Sequence, residues 1–453
     1  MKKNHQPIKL QNTRSKKELS LRRKKKKGKK IFSGSIKFIH LTNFYRKYDL
    51  KILENSKSKL ISFFESKFKN KWDFNLHFKI PKIFSLKRNY KETLEIIISI
   101  NYTIFESRGF DYKITVDFSN CIDVDLPSLF LLQICKIQLK EDLEKINKRL
   151  TVIKFIPKIE VSKSNHDEVN KQLLLNGFVK IDELTLEKGD LVPIHSIGFL
   201  TGRKQQKSYA ENKKGKLTTK TVLYINDCLN DVGFELSEEG RGFVEGIISE
   251  MLNNAEDHSP FENWYLTANY LKNLTEDLNE EKIGELNLAI FNFGFSIFEG
   301  LEQTKELNIE NYNLIESLYN SYLGRNYISK DNYFTLLALQ EGISRLKYED
   351  SSRGTGTIKF IKSFLELGDF ENEKHKPRLH IFSGKTELIC DNKYRPFEKD
   401  GVNLISLNSI KDLKEKQDRN NLKELDLEFP GTLLNAKIYL NQNYLERKQN
   451  EGK

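Results

Sequence analysis

The sequence predicts an α/β protein with two folded regions, because strand-like and helix-like hydrophobic patterns alternate along the chain. In the first region, residues 113–118 alternate apolar and polar side chains as a strand does, and residues 126–149 then repeat apolar side chains at helical spacing. In the second region, an amphipathic helix predicted over 236–259 precedes two apolar runs, 263–271 and 286–301, which are typical of an antiparallel strand pair.

Composition and pattern divide the chain of 453 residues into five parts, the first of which is a basic tail over residues 1–31. Residues 32–90 form a mixed region with one or two predicted helices, and residues 91–200 form a small α/β domain. Residues 201–218 are polar and are interpreted as a linker, and residues 219–445 form the last domain.

The positive charge of the chain is concentrated in the tail. Residues 1–30 hold fourteen Lys and Arg and one acidic residue, whereas the rest of the chain holds 61 basic and 62 acidic residues. The basic run over 22–27 repels itself, so the tail is expected to be disordered. Two interpretations stay open: the tail neutralises nucleic-acid phosphates, or it is only a solvated segment.

The lack of a long apolar run, of an apolar leader and of a cysteine framework predicts a cytoplasmic protein without a membrane span. The sequence has no run of 18 or more apolar residues and no apolar leader. Its abundant Lys, Asn and Ile with scarce Pro and Met are typical of a bacterial protein encoded by an AT-rich genome. The cysteines are far apart and form no CxxC pair, which argues against a zinc site and a disulfide framework: Cys121, Cys135, Cys228 and Cys390.

The first folded region follows a β-α-β-α order, with the second strand predicted over 150–156 and the second helix over 166–176. This order resembles a STAS domain, the fold of anti-sigma-factor antagonists. The phosphorylatable Ser of that family would fall near Asp125 to Ser128, and the Asp-Ser pair expected there is absent. The resemblance therefore implies a module that docks a protein partner or forms a homodimer, rather than a phosphorylation switch.

The predicted helix over 236–259 carries Glu250 and Asn254 one turn apart on one face. Both residue types are common on solvated helix faces. The stretch SEMLNNAEDHS around them, however, resembles the N-box of GHKL ATPases, the class of gyrase, the ninety-kilodalton heat-shock chaperone, histidine kinases and MutL. The resemblance implies that Glu250 is the general base for water, that Asn254 binds Mg²⁺ through its carbonyl oxygen, and that Asp257 supports the ATP site. His258 is interpreted as a cation at the helix C-terminus.

Two further segments resemble the adenine-binding parts of the same class. The Asp-x-Gly-x-Gly-Ile box of the family matches Asn292, Gly294, Ser296 and Ile297, with Asn in place of Asp and Ser in place of the second Gly. In the family the carboxylate accepts the adenine amino group, and an Asn carbonyl can also accept. Thr432, in the strand predicted over 429–440, matches the Thr that helps to hold adenine.

The phosphate-binding part is predicted over residues 351–367. Arg353, Gly354, Thr355 and Gly356 precede an apolar-periodic helix and resemble the second glycine box, in which backbone N–H groups and a helix N-terminus approach the phosphates. Residues 302–350 would form a mobile lid, with helices near 310–322 and 333–345. A hairpin is predicted over 378–390, with its turn at Ser383-Gly384.

Together these resemblances imply a Bergerat-type two-layer α/β sandwich, in which a mixed, largely antiparallel sheet carries helices on one face. They imply a regulatory protein that binds ATP with Mg²⁺, hydrolyses it and acts through conformational change. Two alternatives stay open: a serine/threonine kinase resembling anti-sigma factors, and a non-hydrolysing nucleotide sensor whose tail binds nucleic acid. A histidine autokinase is disfavoured because residues 200–235 contain no His.

Overall fold

The protein is described by a computed structural model, and its helices and strands confirm a mixed α/β fold. The tail over 1–31 lies outside the described residues. The described residues are 34–56, 58–67, 74–107, 112–153, 157–179, 191–203, 213–257, 263–273, 282–324, 327–343, 356–366 and 375–451.

An N-terminal unit contains a three-stranded parallel sheet whose order is β1-β3-β5. Successive strands of this sheet are joined through helices, as parallel pairing requires. The elements of the unit are α1 (Gly34–Asn55), α2 (Lys59–Lys67), β1 (His77–Lys79), β2 (Ile83–Phe84), α3 (Tyr90–Glu106), β3 (Lys113–Asp117), β4 (Asp123–Val124), α4 (Leu126–Asn147), β5 (Lys158–Val161) and α5 (Asp167–Leu175).

Helix α4 begins where the sequence predicts, because Asp125 caps it. The Asp125 carboxylate accepts a hydrogen bond of 2.9 Å from the Ser128 backbone N–H, and Pro127 lies in the first turn. Ser128 is buried, and its hydroxyl donates to the Phe84 carbonyl oxygen at 2.8 Å. The Ser nearest to the STAS phosphorylation position is therefore part of the helix start.

The strand predicted over 150–156 is wrong in position: β5 begins only at Lys158. Residues 150–153 are irregular, and 154–156 lie outside the described residues. The backbone N–H groups of 151–153 donate to the buried carboxylate of Asp49 in α1 at 2.7–3.1 Å. Because these N–H groups are already paired, they do not donate to a neighbouring strand.

The C-terminal unit contains a six-stranded sheet in which β10, β13, β9 and β8 are neighbours in that order, and β6 and β7 both pair with β8. Its strands are β6 (Leu191–Ser196), β7 (Leu200–Arg203), β8 (Asn263–Asn273), β9 (Ile283–Phe293), β10 (Arg378–Cys390) and β13 (Leu422–Asn441). Every pairing among its described residues is antiparallel, so the expected mixed sheet is wrong in this respect. A separate two-stranded ribbon joins β11 (Phe397–Lys399) and β12 (Val402–Leu404).

The helices of this unit are α6 (Lys213–Asn230), α7 (Glu238–Asp257), α8 (Ile297–Gln303), α9 (Ile309–Ser321), α10 (Lys330–Leu337), α11 (Gly356–Glu366) and α12 (Gln442–Glu451). Helix α6 begins inside the segment interpreted as a linker. The apolar run over 286–301 is a strand only as far as Phe293, because a helix starts after Ser296.

The hairpin predicted at Ser383-Gly384 is also wrong. Residues 378–390 form one strand that pairs with β13 on both sides of an irregularity between Ser383 and Thr386. Gly384 has a φ of 56°, and a Cβ there would lie 2.7 Å from the Cβ of Ser296. The glycine therefore marks a bulge that packs closely on a neighbour, not a turn.

The large sheet is buried on both faces, whereas the sequence led us to expect helices on one face and did not predict a second covering layer. Leu288 and Ile290 of β9 share a core with residues of α6, α7 and α11. Phe291 and Phe293 point the other way and share a core with the N-terminal unit. The ring of Phe293 contacts the ring of Phe64 in α2 edge to face, with 5.9 Å between the ring centres. The N-terminal unit therefore packs on the sheet as its second covering layer.

Lys67, Glu299 and Glu428 form a cluster of ion pairs at the edge of this interface, which we call the Lys67 cluster. Lys67, at the end of α2, forms ion pairs with Glu299 of α8 and Glu428 of β13, and its side chain is 15 % exposed. Burial lowers the pKa of Lys67, but the hydrogen bonds to the two carboxylates outweigh burial and raise the pKa overall. One ammonium group thus holds two carboxylates of the C-terminal unit to the N-terminal unit.

Lys67→Met should lower the free energy of unfolding by about 1–3 kcal/mol, because it keeps the apolar stem and leaves two part-buried carboxylates without their cation. The matched control is Lys113→Met, which removes an exposed ion pair with Glu160 and should cost less than about 1 kcal/mol. Urea unfolding of both variants measures the difference. Equal losses would show that the Lys67 cluster does not stabilise the interface.

Candidate functional site

The first group of candidate residues lies where helix α7 meets the start of α11. Asn254 Nδ2 donates to Glu250 Oε1 and to Thr357 Oγ1, both at 3.3 Å. A Cβ on Gly356 would lie 2.1 Å from the carboxyl carbon of Glu250, so the Glu250 carboxylate lies directly against the start of α11 and would have to move if a larger residue replaced the glycine. The structure therefore brings Glu250, Asn254 and Gly356 together, and it adds Thr357, which sequence reasoning missed.

The contacts of Asn254 leave its amide oxygen, Oδ1, available to bind a metal ion. Both hydrogen bonds engage the amide nitrogen, and neither engages Oδ1. Amide oxygen is a ligand that Mg²⁺ accepts when phosphates and waters supply the remaining positions. The arrangement of Asn254 therefore fits a Mg²⁺ ligand.

Several predicted site residues fall at or beyond the limits of what the structure describes. Arg353, Gly354, Thr355 and His258 lie outside the described residues. Asp257 is the last residue of α7, and its side chain also lies outside the description.

The second group of candidate residues forms a row across four strands of the large sheet. Ser383 of β10 lies opposite Thr432 of β13, Thr432 lies opposite Asn292 of β9, and Asn292 lies opposite Trp264 of β8. The hydroxyl groups of Ser383 and Thr432 are 2.9 Å apart. Because side chains alternate along a strand, Asn292 shares the face of Ile290, which is the face covered by α7 and α11.

Two donors in this row have no hydrogen-bond partner among the described residues: Nδ2 of Asn292 and Nε1 of Trp264. Asn292 is 2 % exposed and Trp264 is 1 % exposed. A buried donor without a partner costs about 1–3 kcal/mol. Two such donors on facing positions suit a ligand that presents acceptors to them.

The chain after Asn292 turns sharply into α8. Gly294 is buried with a φ of 146°, a conformation that side chains other than hydrogen disfavour. Ser296 caps α8: its Oγ accepts from the Glu299 N–H at 3.1 Å, and its own N–H donates to the Glu299 carboxylate at 2.8 Å. The N–H of Ile297 donates to Ser383 Oγ at 2.8 Å, which ties this turn to the row.

Ser296 therefore has a local structural role that its spacing to Glu299 could have revealed, since Ser-x-x-Glu is the pattern of a capping box. Trp264 and Ser383 could not be found in this way, because strand register alone places them beside Asn292 and Thr432. Both groups of candidate residues lie on one face of the sheet, where Met251 of α7 shares a core with Trp264.

No family model, no curated protein and no solved structure matches this chain. Across the described ranges, no three His, Cys, Asp or Glu residues lie close enough together to hold a metal ion. In the same residues, no helix combines the length and apolarity that crossing a bilayer requires. A functional assignment therefore depends on the two groups of residues themselves.

A titratable carboxylate lies beside the turn into α8. Asp331 accepts from Thr386 Oγ1 at 3.0 Å, and a Cβ on Gly384 would lie 3.5 Å from its other oxygen. Burial raises the pKa of Asp331 to about 6, the Thr386 hydrogen bond opposes this rise, and the charges of Glu428 and Glu299 add to it. The native state therefore binds the Asp331 proton more tightly than the unfolded chain does.

Asp331→Asn should raise the free energy of unfolding by about 1–3 kcal/mol at pH 8, because the folded protein no longer holds a part-buried carboxylate. The sign follows from the raised pKa: the stability from the protonated group is complete below about pH 4 and is lost as the pH rises through 6. Urea unfolding at pH 4 and pH 8 measures the effect, with the exposed Asp426→Asn as control. An equal gain at both pH values would exclude the charge of Asp331 as the cause.

Proposed function

We propose that this chain binds ATP with Mg²⁺ between α7, α11 and the facing sheet, and that it hydrolyses ATP as a regulatory ATPase of the GHKL type. The observation that carries the proposal is the contact of Glu250 and Asn254 with the first turn of α11. A carboxylate, an amide oxygen and a helix N-terminus are the groups that a general base, a Mg²⁺ ligand and a phosphate site need.

The order of the elements also supports the proposal. Helix α7 is followed by the strand pair β8–β9, then by the three helices α8 to α10, then by α11 and the strands β10 and β13. The resemblance to GHKL proteins implies this order for the N-box, the first glycine box, the lid, the second glycine box and the last strands. The finer assignment to a Bergerat-type sandwich is part of the proposal.

Each residue then has a separate task. Glu250 removes a proton from the attacking water. Asn254 holds the Glu250 carboxylate in place through the hydrogen bond from its amide nitrogen. Bound Mg²⁺ would neutralise charge on the phosphates, with Asn254 Oδ1 as its ligand from the protein. The buried row of Trp264, Asn292 and Thr432 faces the base and offers two donors that lack partners among the described residues.

The N-terminal unit is proposed to transmit the nucleotide state. It covers the face of the sheet opposite to the candidate site, and Lys67 binds Glu299, the residue that completes the cap beside Ser296. A change at the turn into α8 would therefore act on the Lys67 cluster. Transfer of phosphate to the N-terminal unit is less favoured, because Ser128 is buried and hydrogen-bonded.

Glu250→Gln should lower the rate of ATP hydrolysis by about 10²–10⁴-fold and leave ATP binding intact, because the amide keeps the shape and cannot take a proton. Asn254→Ala should instead weaken binding of Mg-ATP relative to ATP in EDTA. Phosphate release and calorimetry measure the two effects, and Glu245→Gln, an exposed position on the same helix, is the control. Turnover that is unchanged in Glu250→Gln would remove Glu250 as the base.

Asn292→Asp should shift the preference of the protein toward ATP over GTP. A carboxylate only accepts hydrogen bonds, so it pairs with the adenine amino group and repels the guanine carbonyl, whereas the amide of Asn292 can present either a donor or an acceptor. Competition between ATP and GTP for wild type and variant measures the shift. If the preference stays the same in a folded variant, Asn292 does not contact the base.

A further inference from the structure

A cleft of about 340 Å³ lies between helices proposed as the lid and the start of β13. Its walls come from the end of α9, the start of α10 and the segment that leads into β13. None of the residues that the sequence predicts for ATP binding lines it. The residues that matter for its chemistry are Tyr322, Tyr327, Asn332, Lys416, Gln417 and Arg419.

The charged residues that line the cleft are Lys416, Arg419, Lys423 and Glu424, so its net charge is positive. Lys416 and Arg419 are exposed, and neither has an ion-pair partner among the residues that the structure describes. Lys416 Nζ lies 3.3 Å from the centre of the Tyr327 ring, and the Arg419 guanidinium lies 5.6 Å from it. An aromatic ring attracts these cations without cancelling their charge. The two cations are therefore held together and remain able to bind an oxyanion.

The wall of the cleft contains two buried amides that are only partly satisfied. Gln417 Nε2 donates to the Glu415 carbonyl oxygen at 2.8 Å, whereas its Oε1 has no partner among the described residues. Asn332 is fully buried; its Oδ1 accepts from Thr386 Oγ1 at 2.9 Å, whereas its Nδ2 has no partner among the described residues. Buried polar atoms of this kind normally have a partner. Two amide atoms without a partner in the wall of a cleft therefore indicate a ligand that brings hydrogen-bonding groups of its own.

We propose that this cleft binds a nucleotide unit, as a second site separate from the proposed ATP site. The two cations suit its phosphate, the free amide atoms suit the donor and acceptor edge of a base, and Tyr327, which is 57 % exposed, offers a ring for stacking. The volume falls at the lower end of the range for small-ligand pockets. A free mononucleotide and one nucleotide of a single strand present this same chemistry.

The test uses the full chain in EDTA, so that Mg²⁺-dependent binding at the other site does not contribute. Calorimetry is performed with each of the four nucleoside monophosphates and, separately, with an eight-nucleotide single-stranded RNA of mixed sequence. Lys416→Ala and Tyr327→Ala should each weaken binding about tenfold, which corresponds to the loss of one charged contact or one stacked base. Lys414→Ala removes an exposed lysine from the same segment but not from the cleft, and it should leave binding unchanged.

The outcomes separate the sources of the ligand. Binding of monophosphates that depends on Lys416 and Tyr327 supports a free nucleotide, and the same dependence for RNA alone supports a nucleotide within a strand. The proposal is overturned if neither probe binds, or if Lys414→Ala weakens binding as much as Lys416→Ala. Lys416 and Tyr327 line the cleft and are not among the residues proposed to contact ATP, so Lys416→Ala should keep wild-type phosphate release from Mg-ATP. Failure of the cleft proposal is therefore distinguishable from failure of the proposed ATPase.

Discussion

The structure depends on one constraint, which is that strand β9 must bury both of its faces. Its residues from Leu286 to Phe293 are all buried, and helices cover one side of the strand while the N-terminal unit covers the other. A strand buried on both faces cannot shift by one residue without exchanging its two sets of side chains. This fixed register directs Asn292 toward α7 and α11 and directs Phe293 toward α2.

The fixed register also decides which side chains surround Asn292. Thr432 and Trp264 lie opposite it on the two neighbouring strands, and Ser383 lies one strand farther on. The turn that follows β9 is held by the Ser296–Glu299 cap, and Glu299 also binds Lys67 of the N-terminal unit. One strand therefore links a polar row on the helical side with a charged contact on the other side.

Local patterns predicted the parts of the fold that local interactions determine. Helix α7 and its pair Glu250 and Asn254 follow from helical spacing, and helix α4 follows from the apolar repeat over 126–149. The strand predicted over 150–156 failed because a carboxylate distant in sequence, Asp49, takes its backbone N–H groups. The hairpin at Gly384 failed because a glycine in a bulge resembles a glycine in a turn until its packing against Ser296 is known.

The candidate site also combines residues that local sequence patterns predict with residues that only long-range packing brings together. Glu250, Asn254 and Gly356 were found from sequence segments, and their contact depends on the packing of two helices more than a hundred residues apart. Trp264 carried no signal, because an indole in a buried strand normally belongs to the core. Only the strand register and the lack of a partner for Nε1 within the described ranges distinguish it. The second covering layer of the sheet was missed because no local pattern states which surface an α/β unit will pack on.

The Trp264 indole N–H offers the most direct test, because the chain has only two Trp residues and Trp72→Phe identifies the remaining resonance. Nitrogen–proton correlation spectra are recorded for the full chain with and without Mg-ATP, with Asn254→Ala as the matched control. In the wild type, Mg-ATP is expected to shift the Trp264 indole resonance and to slow its hydrogen exchange, and in Asn254→Ala the same shift should need more nucleotide. An unchanged Trp264 resonance at ATP concentrations that saturate binding would contradict a nucleotide site on this face of the sheet.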